Sequence, residues 1–206
     1  MKKFQLVCFA LVLAISAIMS PSNLRAQVFP EGSNSVSIGY GFVTLLGALN
    51  STFSEYSDVK TSGLGPIYFK YERALSDNIG LGLNVAYAVN EWSYRFPSVD
   101  TAGNPVLYTE TTRRSTYSVL ARFNYHIGSS DKFDPYIGMG LGYRNATWTF
   151  DTDNPGGGSG VNISNLFPLG FEMTFGARYF FTDNIGAYLE VGAAKSVLQA
   201  GLSVKF

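Results

Sequence analysis

The sequence predicts an all-β protein, an eight-stranded antiparallel up-and-down barrel that crosses a membrane with its strands. Three observations indicate this fold. Apolar and polar residues alternate in eight separate stretches, which is typical of strands with two different faces. Short turns and long polar links separate these stretches. Glycine contributes 22 residues and aromatic residues make up 15% of the chain, a composition that favours strands over helices.

An N-terminal leader precedes the predicted barrel. Lys2 and Lys3 come first, an apolar run follows, and the segment closes at Ala26. This order is typical of a secretory signal peptide. We therefore expect residues 1–26 to be removed and residues 27–206 to form one outer-membrane barrel domain.

The mature chain offers few groups for covalent or metal chemistry. Cys8 is the only cysteine and lies in the leader, so we expect no disulfide, thiolate metal site or cysteine nucleophile in the barrel. The sequence predicts no cofactor and no metal. Removing the leader leaves 12 of the 15 Lys and Arg residues against 15 Asp and Glu, so the mature net charge is 12 minus 15, or −3. That balance does not indicate nucleic-acid binding.

Each predicted strand is recognised by one apolar face. In chain order, the first five faces are formed by residues 36, 38, 40 and 42, residues 67, 69 and 71, the odd residues of 79–89, the odd residues of 117–125, and the odd residues of 137–143. The last three are formed by the odd residues of 169–179, the odd residues of 185–191, and the even residues of 198–206. The opposite faces hold mainly Gly, Ser, Asn and Tyr, with a few charges.

The connections between the strands also follow an alternating plan. Tight turns are predicted at 76–78 and 182–184, a modest turn at 128–134, a short link at 194–196, and long polar links at 43–63, 90–112 and 144–165. Short turns at one end and long loops at the other are typical of outer-membrane barrels. Residues 91–95 and 147–150 still alternate, so we expect strands to extend into the links. The alternative is that aromatic residues of the links bind a surface ligand.

The contrast between the two faces predicts the location. A soluble sandwich would bury its apolar faces and present the polar faces to water. Here the polar faces are poor in charge and rich in glycine, which weakens exposed strands. Apolar faces turned to lipid, around a narrow lumen lined by small and polar residues, account for both features. A secreted sandwich or a lipocalin-like barrel is the alternative.

The inward faces carry charges that must share a narrow space. Four cations and three acids fall on them: Lys70, Glu72, Arg122, Glu172, Arg178, Glu190 and Lys205. An eight-stranded barrel is just wide enough for its own side chains, and unpaired charges at this depth are costly. The sequence therefore predicts an ion-paired plug. The alternative is a gate, in which the same pairs exchange partners and open a narrow ion path.

The C-terminal strand carries the resemblance to a known family. Leu202 and Val204 alternate up to Phe206, which resembles the assembly signal of bacterial outer-membrane barrels. GLGPIYFKYE (63–72), DPYIGMGLGYR (134–144), FPLGFEMTFGARYFFTDNIGAYLEVG (167–192) and AKSVLQAGLSVKF (194–206) together resemble the small porin-superfamily barrels common in Bacteroidetes. The resemblance implies a Gram-negative outer membrane with both chain ends in the periplasm. It also implies contact with outer-membrane lipid and lipopolysaccharide, and with the barrel-assembly machinery.

The sequence favours a non-enzymatic function. His126 is the only histidine, and it falls on the inward face without a partner nucleophile that would suggest catalysis. We expect a monomeric barrel with a largely plugged lumen that serves envelope structure or surface interaction through its long loops. One alternative is a narrow channel or transporter for ions or small solutes, including apolar ones. A second alternative is a lipid-modifying outer-membrane enzyme.

Overall fold

A computed structural model describes residues 29–44, 60–99, 103–128, 130–155, 161–164 and 168–206. The predicted signal peptide, residues 1–26, lies outside these residues and stays a prediction. Within the described segments, no helix is long and apolar enough to cross a membrane.

Ten strands make up the described structure. They are β1 (Asn34–Thr44), β2 (Lys60–Ser62), β3 (Ile67–Ser76), β4 (Ile79–Val99), β5 (Pro105–His126), β6 (Phe133–Thr152), β7 (Val161–Ser164), β8 (Leu169–Phe180), β9 (Ile185–Ala193) and β10 (Ser196–Lys205). All pairings between neighbouring strands are antiparallel.

Eight of these strands close into a barrel. Around the barrel the order is β1, β3, β4, β5, β6, β8, β9 and β10, and β10 returns to pair with β1. The short strands β2 and β7 add to the edges of β4 and β6 above the barrel. Every strand of the ring pairs with its neighbour in sequence, so the predicted eight-stranded up-and-down barrel is confirmed.

The long hairpin of β4 and β5 corrects one predicted link. The segment 90–112 was expected to be largely a polar link, yet β4 and β5 stay paired as far as Val99 opposite Pro105. The prediction that strands extend beyond the barrel is confirmed here and in β6, which runs to Thr152. Alternation continues because a paired strand has two faces wherever it lies, in the barrel or beyond it.

The two ends of the barrel differ in their connections. We call the end with the links after Ser76, His126 and Phe180 the turn end, and the opposite end the loop end. At the turn end, Asn34 and Phe206 exchange backbone hydrogen bonds of 2.8 and 2.9 Å. The last residue therefore completes the ladder that joins β10 to β1, which explains why strict alternation continues to the final residue of this sequence.

The segment before β1 folds under the turn end. Gly32 donates to the carbonyl of Ala74 at 3.0 Å, and Ala74 donates to the carbonyl of Ser33 at 2.9 Å. These bonds hold the preceding residue Phe29 in the barrel base, where its side chain is 1% exposed. A large apolar ring therefore covers the lower end of the lumen.

The side chains are distributed inside out relative to a soluble protein. Lumen-facing Glu172, Glu190 and Arg122 are 1–3% exposed. Outward-facing Phe171 and Leu189 on the same sheet are each 54% exposed. The barrel thus buries charge and exposes large apolar side chains around its circumference.

Candidate functional site

Four charged residues form a cluster near the turn end, which we call the turn-end cluster: Glu72, His126, Asp134 and Arg178. His126 Nε2 lies 2.9 Å from Glu72 Oε1, and His126 Nδ1 lies 2.6 Å from Asp134 Oδ1. Arg178 contacts Glu72 directly and approaches Asp134 Oδ2 at 3.6 Å. The four side chains come from β3, β5, β6 and β8, so they link strands across the lumen.

The geometry of the turn-end cluster assigns the charge of His126. Each ring nitrogen faces a carboxylate oxygen, and a carboxylate only accepts hydrogen bonds. Both nitrogens therefore carry a proton, and the ring is a cation. Two cations and two anions then give the cluster a net charge of zero. The ring of Phe29 stacks on His126 with centroids 4.3 Å apart and shields the cluster from the barrel base.

A second group, the central cluster, lies deeper in the lumen and consists of Lys70, Arg122, Glu172 and Glu190. Lys70 Nζ is 2.7 Å from Glu190 Oε1, and Arg122 joins Glu190 at 2.9 Å and Glu172 at 2.6 Å. Its two cations and two anions again sum to zero. Arg122 bridges both acids, so it holds the centre of this cluster.

Neutral polar groups complete the central cluster. Asn84 Nδ2 donates to both oxygens of Glu172 at 2.9 and 2.7 Å. The Tyr136 hydroxyl donates to Glu190 at 2.7 Å. Arg122 also donates to Thr174 and Asn124, each at 2.9 Å. These bonds satisfy several of the lone pairs and protons that the ion pairs alone would leave open, which lowers the cost of burying the charges. Glu190 Oε2 and Asn84 Oδ1 remain buried without a hydrogen-bond partner.

Two lumen glycines make room for these large side chains. A Cβ atom at Gly140 would lie 2.6 Å from Cγ of Glu172. At Gly176 it would lie 2.5 Å from Cζ of Tyr136 and 2.8 Å from Cγ of Glu190. Cβ atoms essentially never approach other heavy atoms this closely. The glycines on the polar faces are therefore a packing requirement of the charged lumen.

The structure places six of the seven predicted lumen charges in the two clusters. Glu72 and Arg178 belong to the turn-end cluster, and the four members of the central cluster were all on the predicted inward faces. Lys205 lies outside both clusters, with its amine 5.2 Å from the centroid of the Phe180 ring. Its register explains this position, because Lys205 pairs with Ser35 at the turn-end rim.

Two members of the turn-end cluster were not among the predicted lumen charges. His126 was placed on the inward face but without a defined partner. Asp134 was assigned to the turn 128–134, whereas it belongs to β6 and its side chain is fully buried. The sequence contained a sign of this position. Asp134 lies two residues before Tyr136 and four before Gly138, so it falls on the same inward face of the strand.

The arrangement around His126 does not suit a general base. Both nitrogens are occupied by carboxylates, and no hydroxyl group of the described residues shares a hydrogen bond with the ring. The part of the chain that the structure describes also contains no group of three His, Cys, Asp or Glu residues that could hold a metal ion. The chemistry of these groups is charge pairing.

The predicted assembly signal lies on the outer surface of β10 and at its end. Leu202 is 55% exposed and Phe206 is 67% exposed, with Val204 between them also outward. Outward aromatic residues near the strand ends form two rings, and Phe69, Phe171 and Phe175 are exposed between them. The loop-end ring contains Tyr40, Phe42, Tyr87, Tyr117 and Tyr143, and the turn-end ring contains Tyr125, Tyr179, Phe181 and Phe206.

Comparisons with known proteins identify similar barrels. No protein-family model matches the chain, and the search of curated proteins gave no match. Solved structures with a similar barrel include Ail, the attachment invasion locus protein of Yersinia pestis. It has 16% identity and a TM-score of 0.44, over 85% of this chain and 99% of that chain. The same protein in complex with the heparin analogue sucrose octasulfate gives 18% identity and a TM-score of 0.42, at 85% and 99% coverage.

Two further similar structures come from Pseudomonas aeruginosa. The N-terminal β-barrel domain of OprF has 18% identity and a TM-score of 0.38, over 85% of this chain and 97% of that chain. The outer membrane protein OprG has 10% identity and a TM-score of 0.39, over 86% of this chain and 97% of that chain.

Proposed function

We propose that the chain is a non-enzymatic integral outer-membrane barrel whose lumen is closed by the two charge clusters. In this role it serves envelope structure or surface interaction through its loop end. One observation carries the proposal: the charges are buried inside the barrel and the large apolar side chains are exposed outside. The relation to small Bacteroidetes porin-superfamily barrels stays an expectation from the sequence.

The outer surface supports a membrane location. Soluble monomers rarely expose contiguous apolar patches of more than a few hundred Å², whereas here every barrel strand contributes exposed apolar residues. Tyr117 and Tyr125 on β5 mark the two aromatic rings and lie eight residues apart. At about 3.3 Å per residue and a strand tilt of about 40°, the rings are separated by about 20 Å. The apolar band of an outer-membrane barrel is about 25 Å tall, so the spacing of the rings is of the expected size.

The burial and pairing of the charges in the lumen support a barrel that is closed to ions. All eight members of the two clusters are at most 6% exposed. A passing ion would have to break pairs of 2.6–2.9 Å and leave one partner without its counter-charge. Such separation in a low-dielectric space is strongly unfavourable. No observation on the described residues favours the alternatives of a channel or a lipid-modifying enzyme.

The loop end is the proposed surface-exposed side. The β4–β5 hairpin projects beyond the loop-end aromatic ring, and the rings of Trp92 and Trp148 stack there at 5.9 Å. We place both chain ends in the periplasm and β10, with Leu202, Val204 and Phe206, in contact with the assembly machinery. Lipid and lipopolysaccharide would surround a monomeric barrel.

Thiol labelling on intact cells tests this placement, because Cys8 is the only native cysteine. Three matched variants carry one cysteine each: Val99→Cys at the hairpin tip, Asp131→Cys at the turn end, and Leu141→Cys in the apolar band. A membrane-impermeant maleimide should label position 99 on intact cells and position 131 only after the outer membrane is opened. Position 141 should resist the polar reagent in both cases. Ready labelling at position 141 of the folded protein would contradict a membrane location, and labelling at 131 on intact cells would reverse the orientation.

A further inference from the structure

Three cations gather at the loop end of the lumen, and we call them the loop-end cations: Arg114, Arg144 and Lys195. In the backbone register of the neighbouring strands β5 and β6, Arg114 lies opposite Trp148 and Arg144 lies opposite Ser118. Lys195 lies in the short connection between β9 and β10. Both arginines share the even-numbered parity of the lumen-facing residues of their strands. Lys195 is on the β9–β10 side of the barrel, and the charges of both arginines act on its amine.

The loop-end cations have no counter-charge among the described residues. None of them takes part in a salt bridge there. Nζ of Lys195 and Nε of each arginine are buried without a hydrogen-bond partner. The contacts of the arginines are neutral, since Arg144 Nη2 donates to the Phe171 carbonyl at 3.1 Å and Arg114 lies 5.2 Å from the Trp148 ring.

Among the described residues, the acid near the loop-end cations already has hydrogen-bond partners. Glu172 is the acid that acts electrostatically on Lys195. Its Oε1 accepts from Arg122 and Asn84, and its Oε2 accepts from Asn84. The central cluster is neutral with Glu172 included, so this carboxylate has no surplus charge to offer the loop end.

The positive charges at the loop end oppose the protonation of Lys195, which lies in the connection between β9 and β10. Burial, followed by the charges of Arg144 and Arg114, lowers the pKa of the Lys195 amine to about 7. Burial and the charge of Arg144 also lower the pKa of Arg114. Buried charge of one sign is costly and is normally neutralised by a partner.

We propose that Arg114, Arg144 and Lys195 form a binding site for a tetrahedral oxyanion, a sulfate or a phosphate group, at the loop end of the lumen. A guanidinium offers a fork of donors that matches the oxygens of such an anion, and a lysine amine adds a compact charge. The anion would supply the counter-charge that the described residues do not provide there. This inference goes beyond the proposed envelope role and is tested without reference to conductance.

Titration with sulfate tests the site in the refolded mature chain in a non-ionic detergent, whose headgroup carries no oxyanion. Sulfate keeps its charge across the neutral range, so any proton taken up from the buffer on binding is bound by the protein. Because the anion favours the charged amine, binding at pH 7.5 should take up about 0.8 proton per site, the neutral fraction of a group with a pKa of about 7. Calorimetry in buffers of different ionisation enthalpy measures this uptake, with sodium chloride at equal ionic strength as reference.

Lys195→Gln is the decisive variant and Lys132→Gln, an exposed lysine at the turn end, is the matched control. We expect Lys195→Gln to bind sulfate about tenfold more weakly and without proton uptake, and Lys132→Gln to behave as wild type. Arg144→Gln should weaken binding as well. Absence of sulfate binding in the wild type, or equal affinity and proton uptake in Lys195→Gln, would overturn the proposal.

Two sources of the oxyanion are separated by reconstitution. The protein is placed in zwitterionic phospholipid vesicles with or without lipopolysaccharide, and sulfate affinity is measured in both. Competition by lipopolysaccharide that disappears in Lys195→Gln would assign the site to phosphate groups of the surrounding glycolipid. Unchanged sulfate affinity would assign it to a free oxyanion or to a soluble sulfated or phosphorylated molecule.

Discussion

The centre of the lumen and its loop end differ in how buried charge is balanced. In the lumen, two groups of four residues each combine two cations with two anions, and their pairs lie at hydrogen-bonding distance. At the loop end, Arg114, Arg144 and Lys195 have no acid of the described residues in a salt bridge. The difference teaches that pairing decides the role of a buried charge. Paired charges join the strands, whereas charges without an ion-pair partner among the described residues are the ones we propose as an anion site.

Breaking the pairing in the lumen should have the largest effect. Arg122→Met leaves Glu172 and Glu190 with one cation, Lys70, and gives the central cluster a net charge of −1. We expect the free energy of unfolding to fall by about 3–5 kcal/mol, as when one partner of a buried ion pair is removed. Urea unfolding of the refolded barrel measures this. Arg113→Met, an exposed site on the same strand, should change stability by less than about 0.5 kcal/mol.

A double variant sharpens the same comparison. Arg122→Met combined with Glu172→Gln returns the central cluster to neutrality, with Lys70 and Glu190 still paired. We expect the double variant to be more stable than Arg122→Met alone, because one uncompensated carboxylate is gone. A double variant that loses the sum of the two single effects would show that net neutrality does not govern this cluster.

Crowding the lumen should have an intermediate effect. Gly140→Ala places a methyl group against Glu172, at a contact of 2.6 Å that the side chain must relieve. We expect a loss of about 1–3 kcal/mol in the free energy of unfolding, as for overpacked cores. The same substitution in a Glu172→Ala background should cost less, because the obstructing side chain is absent. Equal costs in both backgrounds would separate Gly140 from the packing of the charge cluster.

Removing the charge of Lys195 should change the free energy of unfolding least, and should raise it rather than lower it. The pKa of Lys195 is about 7 in the folded chain and ordinarily 10.5, so the unfolded chain holds the proton more tightly. The wild type therefore loses stability as the pH falls from about 10.5 to 7. Lys195→Met lacks this penalty and should be about 1 kcal/mol more stable below pH 7, with no difference near pH 11. Unfolding of both proteins across this pH range, in buffers without sulfate or phosphate, measures the difference in stability. A difference that does not change with pH would contradict the lowered pKa of Lys195.

The sequence predicts the faces of the barrel well because a strand has a strict period of two. The inward position of Arg122, Glu172 and Glu190 follows from counting along their strands. Which charges meet does not follow, because Glu72, His126 and Arg178 come from three strands whose contact depends on register and on the closing of the barrel. Period two contains no information on either.

The predictions from the sequence were wrong or incomplete mainly for residues at the ends of strands. Asp134 was assigned to a turn because the first residues of β6 have no long alternating run before them. Arg144 was assigned to a polar link, and Lys195 falls in a short connection, so neither was counted among the inward charges. The extent of the β4–β5 hairpin was underestimated because the alternation ends after Phe96, whereas the two strands stay paired as far as Val99 opposite Pro105.

Single-channel conductance of the refolded mature protein in a planar bilayer tests the closed lumen most directly, with Arg122→Ala measured alongside. Insertion is verified separately by the resistance of the folded barrel to protease. The paired clusters predict a wild-type protein without steady openings. Steady wild-type openings whose size changes in Arg122→Ala would contradict the closed lumen and make the central cluster part of an ion path.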